Sequence, residues 1–333
     1  MKFVVFFISF FFFLSLSHAQ QIKILTDSGK ISLRGLSVVN DSIIWASGSS
    51  GKVVRSVNGG NVFEWITVEG YGQRDFRDVE AFDANTALIM AVDTPAIILK
   101  TIDGGKTWKE VFYDNRKGMF LDAMDFDDKG TGLVIGDPIN GNLFKATSVD
   151  NGNTWLTLNI ADSSYGLNEG EAFFAASGTN IKMTRNKNCP TIAVTGGTKS
   201  RLMYADKFYP LDIVQGKETT GANSIDVYDK NAVIVGGDFN KDTSAFKNCV
   251  LVELKKNPEF KLSQTPPHGY RSCVTYITKD KLITCGTSGV DISNDGGLNW
   301  QLISNESYHV CAKAKKGNAV FLAGKNGRIA RLD

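Results

Sequence analysis

The stretch from Thr101 to Trp108 reads TIDGGKTW, and the same shape occurs at three other places in the chain. These are SVNGGNVF at 56–63, SVDNGNTW at 148–155 and SNDGGLNW at 293–300. The letters GGKT also end many phosphate-binding loops. Such a loop needs a glycine where this chain has Lys100, and it opens a helix, whereas the EVFY that follows is typical of a strand. We therefore interpret TIDGGKTW as a turn between two strands.

Three of the four turns share an acidic residue, a glycine and a closing tryptophan, and these predict how each turn is held. The carboxylate is expected to accept backbone N–H groups of its own turn, the glycine can adopt a positive φ, and the tryptophan packs beneath. In the three copies that carry all of them, these residues are Asp103, Gly105 and Trp108; Asp150, Gly152 and Trp155; and Asp295, Gly297 and Trp300.

The spacing of the turns indicates a repeat of the whole chain. The first three are 45 and 47 residues apart, and the last follows after 145. A β-rich run, a turn and a second β-rich run recur seven times, with a mean repeat of 46 residues. The turn positions are Gly48, Val92, Gly136, Gly196, Gly236, Gly286 and Gly324. Each copy follows another strand-like segment, such as EAFFAASG in the fourth copy.

The 46-residue repeat consists of short strands and polar turns and shows no helical periodicity, which predicts an all-β fold. The architecture that we expect is a seven-bladed β-propeller of four-stranded antiparallel blades. The last copy stops at Leu332 after three strands, and an unassigned strand, QIKILTD, lies at 21–27. Pairing this strand with the last blade hides two sheet edges. A pair of β-sandwiches explains neither the period nor the extra strand, so residues 20–333 are predicted to form one propeller domain.

The first residues predict export. Lys2 precedes an apolar run, Phe3–Leu16, and the small residue Ala19 follows, which is the pattern of a signal peptide of residues 1–19. The alternative, a membrane anchor, needs about 20 apolar residues, and neither this run nor any later segment is long enough. A secreted or periplasmic protein, cleaved after Ala19 and without a membrane span, is expected.

The charges of the chain bear on its partners. Its 37 Lys and Arg and 35 Asp and Glu are mixed along the sequence and leave a formal net charge of +2. Nucleic acid and anionic membranes bind proteins through concentrated positive charge, so we expect neither as a partner. We expect a monomer.

Cysteines and glycosylation motifs leave several possibilities open. An exported protein can form disulfides, but five cysteines leave at least one unpaired. Cys273 and Cys285 are a candidate pair because they lie on neighbouring predicted strands. Asn40 and Asn305 lie in N-x-S motifs, which matter only in a eukaryotic host. The cysteines are Cys189, Cys249, Cys273, Cys285 and Cys311.

The inner strands of a propeller line its central channel, so the residues that start them are expected to meet at one mouth. Aligning the starts places there Arg34, Arg77 with Asp78, Asp122, Glu171, Ser224, Tyr270 with Arg271, and His309. Arginine is always charged and offers a planar set of donors that fits a carboxylate. Arg34, Arg77 and Arg271, with Asp78 and Ser224 beside them, are therefore candidates to bind a protein or a small anionic ligand.

An alternative is that each arginine pairs with a neighbouring acid and only completes the polar channel wall. Asp78, Asp122 and Glu171 are such acids. Asp137 and Asp238 follow turn glycines and either face the same mouth or serve as turn formers. Both possibilities remain open at the level of the sequence.

The turn pattern resembles the Asp-box of bacterial neuraminidase repeats, a hairpin turn between the third and fourth strands of a blade. This resemblance implies a second hypothesis, a sialidase-type exo-glycosidase acting on acidic sugars. Tyr270 and Glu171 would then form the nucleophile pair, and Asp122 would be the acid. Sialidases carry Arg-Ile-Pro or Arg-Leu-Pro before the first box, whereas this chain reads LRGL in its first copy and FRDV in its second.

Longer strings resemble an exported propeller family that is common in Bacteroidetes and related to the photosystem II assembly and stability factors. They are GMFLDAMDFDDKGTGLVIGDPINGNLF, EAFFAASGT, AVIVGGDF and GYRSCVTYI. The resemblance implies a non-catalytic binding or assembly module with an arginine-bearing face. Members are often labelled oxidoreductase or glycosyl hydrolase, so a redox enzyme is a third hypothesis. The chain has no dinucleotide-binding or CxxC pattern, and we expect no cofactor and no metal.

Overall fold

The described part of the chain comprises residues 21–27, 29–139, 141–159, 166–184 and 191–333 of a computed structural model. The predicted signal peptide and Cys189 lie outside the described residues. Within the described ranges the chain forms strands β1 to β30 and no helix. These ranges accordingly hold no helix long and apolar enough to cross a membrane.

The strands build seven antiparallel four-stranded blades around a central channel, which confirms the predicted fold class. Blades 1 to 3, from the innermost strand outward, are β2 (Leu33–Val38), β3 (Ile44–Gly48), β4 (Lys52–Ser56) and β5 (Glu64–Thr67); β6 (Phe76–Ala81), β7 (Ala87–Ala91), β8 (Ala96–Thr101) and β9 (Lys109–Asp114); and β10 (Leu121–Phe126), β11 (Gly132–Ile139), β12 (Asn142–Ser148) and β13 (Leu156–Asn159).

Blades 4 and 5 are joined by two short strands, β14 (Glu171–Ala172) and β17 (Gly196–Gly197). Blade 4 consists of β15 (Ile181–Met183), β16 (Thr191–Val194), β18 (Arg201–Tyr204) and β19 (Lys207–Pro210), and blade 5 of β20 (Thr220–Tyr228), β21 (Asn231–Asp238), β22 (Cys249–Glu253) and β23 (Glu259–Leu262). Blade 6 consists of β24 (Cys273–Tyr276), β25 (Leu282–Gly286), β26 (Gly289–Ser293) and β27 (Gln301–Ser304), and blade 7 contains β28 (Val310–Lys313), β29 (Val320–Ala323) and β30 (Ile329–Leu332).

The ring closes through β1 (Ile22–Thr26), the fourth strand of blade 7. It lies antiparallel to β30, with Ile22 opposite Leu332 and Lys23 opposite Arg331. Both edges that the sequence leaves unpaired are thereby covered, as predicted. Backbone hydrogen bonds between the two ends of the chain hold the ring shut.

Burial across each blade explains the residue types of its strands. All five residues of β3, IWASG, are buried, and the same is true of β7 and β25. These second strands are covered on both faces by neighbouring blades, so they are almost wholly apolar. The outermost strand β5, EWIT, has exposed residues at both ends. The blades are held together by side-chain packing between sheets, and one cluster joins residues of blades 6, 7 and 1.

The TIDGGKTW turn connects β8 to β9 and is held by its own side chains. The Thr101 hydroxyl donates to Asp103 Oδ1 at 2.8 Å and accepts the Gly105 N–H at 2.9 Å. Asp103 Oδ1 also accepts the Thr107 N–H at 3.0 Å. The bonds from Thr107 are the main reason that the pKa of Asp103 falls to about 2. The same arrangement holds the turns of Asp150 and Asp295, which also lie between third and fourth strands.

The closing tryptophan of this turn lies against the preceding blade. Trp108 Nε1 donates to the Gly105 carbonyl at 3.1 Å, and its ring meets Trp45 of blade 1 edge-on, with 6.5 Å between centroids. The turn thus fastens the outer edge of blade 2 to blade 1, at the rim and away from the channel.

The described cysteines are free thiols, including the candidate pair. Cys273 and Cys285 do lie opposite each other on β24 and β25. Cys311 on β28 lies beside them, and the Cys273 thiol donates to its carbonyl at 3.3 Å. Burial raises the pKa of the Cys285 and Cys311 thiols and raises that of Cys249 to about 12. The candidate disulfide is therefore not formed in this structure.

Candidate functional site

Residues at the start of the inner strands form a ring at one mouth of the channel, which we call the upper mouth. In blades 1, 2, 3 and 5 the residue is the extra one of a β-bulge, where the pairing register shifts. A bulge turns its side chain out of the regular alternation of the strand. In blades 6 and 7 the equivalent residue directly precedes the first paired residue of the inner strand. The ring consists of Arg34, Arg77, Asp122, Asn223, Ser272 and His309.

Arg271 does not belong to this ring, so the sequence alignment was wrong at this position. Its Cα lies against the turn glycine Gly286 in the way that the Cα of the buried Leu33 lies against Gly48. The fully buried guanidinium donates through Nε to Asp291 Oδ2 at 2.7 Å. Arg271 is therefore part of an ion pair inside blade 6, and its neighbour Ser272 takes the place in the ring.

Arg34 and Arg77 form a positively charged wall on blades 1 and 2. Arg77 Nε donates to Asp75 at 2.8 Å, whereas Arg34 Nη1 donates to the Ala176 carbonyl at 3.1 Å. Burial, and then the charge of Arg77, lower the pKa of Arg34. Burial and the nearby Arg34, Lys325 and Arg77 lower the pKa of His309 to about 3, so this imidazole stays neutral. Asp75 thus lies near both guanidinium groups, and the Asp122 carboxyl of blade 3 also lies near Arg77.

Blade 3 contributes two acids beside this wall, Asp122 and Asp137. Asp122 is fully buried, and its carboxylate oxygens make no hydrogen bond of good geometry among the described residues, although the backbone N–H groups of Ala175 and Asp137 lie near enough to lower its pKa. Asp137 Oδ1 is likewise buried without a partner in that part of the chain. Burial, and then the charge of Asp137, raise the pKa of Asp122 far above its usual value. Burial raises the pKa of Asp137 to about 6.

The acid pair predicts that stability falls as pH rises. A carboxyl whose pKa is raised by folding binds its proton more tightly in the folded protein, so the free energy of unfolding decreases from about pH 4 upward through the folded pKa values. Asp122→Asn removes one buried charge and should raise stability at pH 8 by about 1–3 kcal/mol, with little change at pH 4. Denaturant unfolding at both pH values measures this. An unchanged pH dependence in the variant would contradict the prediction, and Asp212→Asn, which alters an exposed carboxylate, is the control.

A segment between blades 3 and 4 fills the middle of the channel, and we call residues 173–180 the plug. Arg34 of blade 1 donates to the backbone carbonyl of Ala176 in the plug. Ser177 Oγ donates to the Ser272 carbonyl of blade 6 at 2.7 Å, and Thr179 Oγ1 donates to Ser224 Oγ of blade 5 at 2.7 Å. The plug therefore touches blades on opposite sides of the ring and separates the upper mouth from the rest of the channel.

The plug corrects the sequence interpretation of EAFFAASG as the inner strand of blade 4. Only Glu171 and Ala172 of this string are in a strand, β14, and the inner strand β15 begins later, at Ile181. A signal was present in the string, because the small residues at 175–178 do not alternate with large apolar ones as in the other inner strands.

Asp78 and Ser224, expected among the ligand-binding residues, are buried against the plug. Asp78 Oδ2 accepts the Met124 N–H at 2.7 Å, and burial raises its pKa. Ser224 Oγ accepts the Val274 N–H at 3.0 Å in addition to the bond from Thr179. Their polar atoms are engaged in holding inner strands together, so the structure places neither on the open part of the mouth.

The structure does not bring Tyr270 and Glu171 together as a pair. The Tyr270 hydroxyl donates to Asn223 Oδ1 at 2.8 Å. Glu171 accepts from Nε and Nη2 of Arg201, both at 2.7 Å. Burial opposes the ionisation of Glu171, but the Arg201 and Thr195 hydrogen bonds keep its pKa below the usual value. Glu171 therefore joins a structural ion pair in blade 4.

Below the plug lies a cavity of about 140 Å³ at the other end of the channel. Its wall carries Glu80, which accepts from Lys315 at 2.5 Å, and Lys182, whose ammonium is 3.6 Å from Asp226. Asp226 also accepts the Tyr276 N–H at 2.7 Å. The acidic side chains and the lysines of this cavity wall therefore form ion pairs with one another. Among the described residues, no group of three or more His, Cys, Asp or Glu side chains is arranged to hold a metal.

Known structures share this fold. The chain resembles YCF48 bound to a D1 peptide, with a TM-score of 0.65 and 15% identity over 95% of this chain and 97% of that one. YCF48 from Cyanidioschyzon merolae gives 0.63 and 15% over 94% and 98%. The WD40 propeller domain of Doa1 gives 0.63 and 12% over 94% and 97%.

The likeness is one of fold. No family model matches the sequence, and no curated protein is significantly similar to it. The structures named above are two YCF48 propellers and one WD40 propeller. At 12–15% identity these structures establish the fold of the chain and nothing about its ligand.

Proposed function

We propose that this protein is an exported, non-catalytic binding module that takes a carboxylate-bearing segment of a partner protein at the upper mouth. The observation that carries the proposal is the pair Arg34 and Arg77. The two guanidinium groups are close enough for the charge of Arg77 to lower the pKa of Arg34. Arg34 is largely buried, and no acidic side chain among the described residues accepts a hydrogen bond from it. A buried guanidinium that donates to no carboxylate and lies beside a second cation favours an anion bound between the two.

The comparison with known structures supports a protein segment as the ligand. One protein with this fold is described as bound to a peptide, and the chains align over nearly their whole lengths. The plug crosses the channel below the ring, so a ligand at the upper mouth meets the plug as a floor. A floor of this kind suits a chain end or a loop of a partner.

No specific observation favours either of the two enzymatic alternatives. The sialidase hypothesis needs Tyr270 beside Glu171, and these side chains bind Asn223 and Arg201 instead. The oxidoreductase hypothesis depends on the family label alone. A panel of fluorogenic glycosides and a visible spectrum of the purified protein test these two alternatives directly.

The binding proposal predicts a preference for acidic peptides. The purified protein is incubated with two pools of random hexapeptides that differ in negative charge: one carries Glu and a free carboxyl end, the other Gln and an amide end. We expect at least tenfold more retention of the acidic pool, because each charge-assisted arginine–carboxylate bond contributes about 1.5–3 kcal/mol. Arg34→Gln with Arg77→Gln should abolish the preference.

The matched control for this loss of charge is Arg116→Gln with Arg331→Gln. Each of these arginine side chains is 45% exposed, and neither belongs to the ring. This variant should keep the preference of the unmodified protein. Equal retention of both pools by the unmodified protein, or an undiminished preference after the ring arginines are replaced, would refute the proposed function.

A further inference from the structure

A cluster of three aromatic rings lies on the side of the upper mouth opposite the arginines. Phe239 follows β21 of blade 5, and its ring packs edge-on against Phe174 of the plug and against Tyr270, with 6.2 Å and 6.3 Å between centroids. Tyr270 itself is buried. Phe239 nevertheless leaves 45% of its surface exposed.

The contacts of Tyr270 connect this cluster to the ring. Its hydroxyl donates to Asn223, the ring residue of blade 5. Its phenol is also close enough to Arg34 for each group to influence the pKa of the other. In a ring of seven blades, blade 5 lies across the channel from blades 1 and 2. The aromatic cluster and the arginine pair are thus two walls of one mouth.

Phe239 is held in place rather than loosely exposed. Its backbone N–H donates to the Thr219 carbonyl at 3.1 Å, and the next N–H, of Asn240, is bound by Asp238 Oδ1 at 3.0 Å. Two aromatic neighbours fix the orientation of the ring. A rigid, half-exposed aromatic side chain beside a binding site offers contact area at low entropic cost, as binding hot spots do.

We infer that Phe239, supported by Phe174, is an apolar subsite of the upper mouth, and that the partner segment carries an aromatic or large aliphatic side chain together with its carboxylate. The inference rests on the proposed function, since the same segment places its acid on Arg34 and Arg77. The pairing of an apolar wall with a positively charged wall selects this combination over a purely acidic ligand, which would leave Phe239 in water.

The test uses four hexapeptide pools that combine two features: Glu with a free carboxyl end, or Gln with an amide end, and Phe or Ala at one varied position. The unmodified protein should retain the Glu–Phe pool best, with about a tenfold preference for Phe over Ala. Phe239→Ser should abolish the preference for Phe and leave the preference for Glu intact. Arg34→Gln with Arg77→Gln should do the reverse.

Two further variants separate recognition from folding. Phe246→Ser alters a phenylalanine of the same loop that is 65% exposed, and it should leave both preferences unchanged. Phe239→Leu keeps an apolar side chain and should restore most of the preference for Phe. Thermal unfolding of each variant confirms that it is folded.

The outcomes distinguish the subsite from the proposed function. A preference for Glu that depends on the arginines, with no preference for Phe or one that survives Phe239→Ser, overturns the subsite alone. Absence of both preferences overturns both proposals. Self-association of the protein in sedimentation that disappears in Phe239→Ser would mean that a second copy of this chain covers the cluster, which also overturns the subsite.

Discussion

Replacing Arg271 by methionine is expected to destabilise the protein by about 3–5 kcal/mol, because the change leaves the carboxylate of Asp291 buried without its cation. Both side chains are fully buried, and Arg271 also donates to the Tyr270 carbonyl at 2.9 Å and to Ser288 Oγ at 2.8 Å. Denaturant unfolding measures the loss. Asp291 is otherwise contacted by the ring Nδ1 of the half-exposed His268, at 2.6 Å, and accepts the backbone N–H of the same residue at 3.3 Å.

Two comparisons make the Arg271 result specific. The double variant Arg271→Met with Asp291→Leu removes both charges and should be less destabilised than the sum of the single changes, since coupled partners are not additive. Arg34→Met changes the ring arginine at the start of the inner strand of blade 1. It should lower stability by less than about 1 kcal/mol, because Arg34 donates to a backbone carbonyl and to no carboxylate. Equal losses for Arg271→Met and Arg34→Met would contradict the distinction between a structural and a ring arginine.

Replacing Gly178 by alanine is expected to destabilise the protein by about 3 kcal/mol or more, by forcing the plug away from blade 2. The backbone φ of Gly178 is +68°, and a Cβ there would lie 2.4 Å from the carboxyl carbon of Asp78. That carboxyl is fully buried and bonded to the Met124 N–H, so it cannot swing aside without breaking the contact. Thermal unfolding and amide hydrogen exchange of residues 173–180 measure the effect.

The control for the plug is Gly70→Ala. Gly70 has a similar φ of +79°, but a Cβ there would meet no atom within 4 Å. It should cost about 1 kcal/mol, the backbone strain alone. If Gly178→Ala costs no more than Gly70→Ala, the plug is not packed against Asp78 as described. Loss of the acidic-peptide preference in Gly178→Ala would further indicate that the plug supports the floor of the upper mouth.

The site was only partly predictable from the sequence. Arg34, Arg77, Asp122 and His309 lie at the starts of inner strands, where the common repeat of their blades puts them. Arg271 was misassigned by one residue, because the amino-acid sequence does not show which residue at the start of a strand lies opposite the turn glycine. In a strand, a shift of one residue sends the side chain to the other face. Asn223 and Phe239 were missed because nothing local marks a residue that faces the axis.

The sequence by itself determined the architecture. The four turns in register, the 46-residue period and the spare strand at 21–27 are local or periodic features, and each encodes hydrogen bonds or burial that form within one blade or between its neighbours. Closure by β1 followed from counting strands.

Only the tertiary structure decided which residues share the mouth. The plug meets Arg34, Ser224 and Ser272 from positions up to 142 residues away in the chain. Whether an arginine is buried against an acid, as Arg271 is, or left beside another arginine, as Arg34 is, depends on which blades converge at the axis. Those distances and the local desolvation are set by closing the ring, and no pattern along the chain records them.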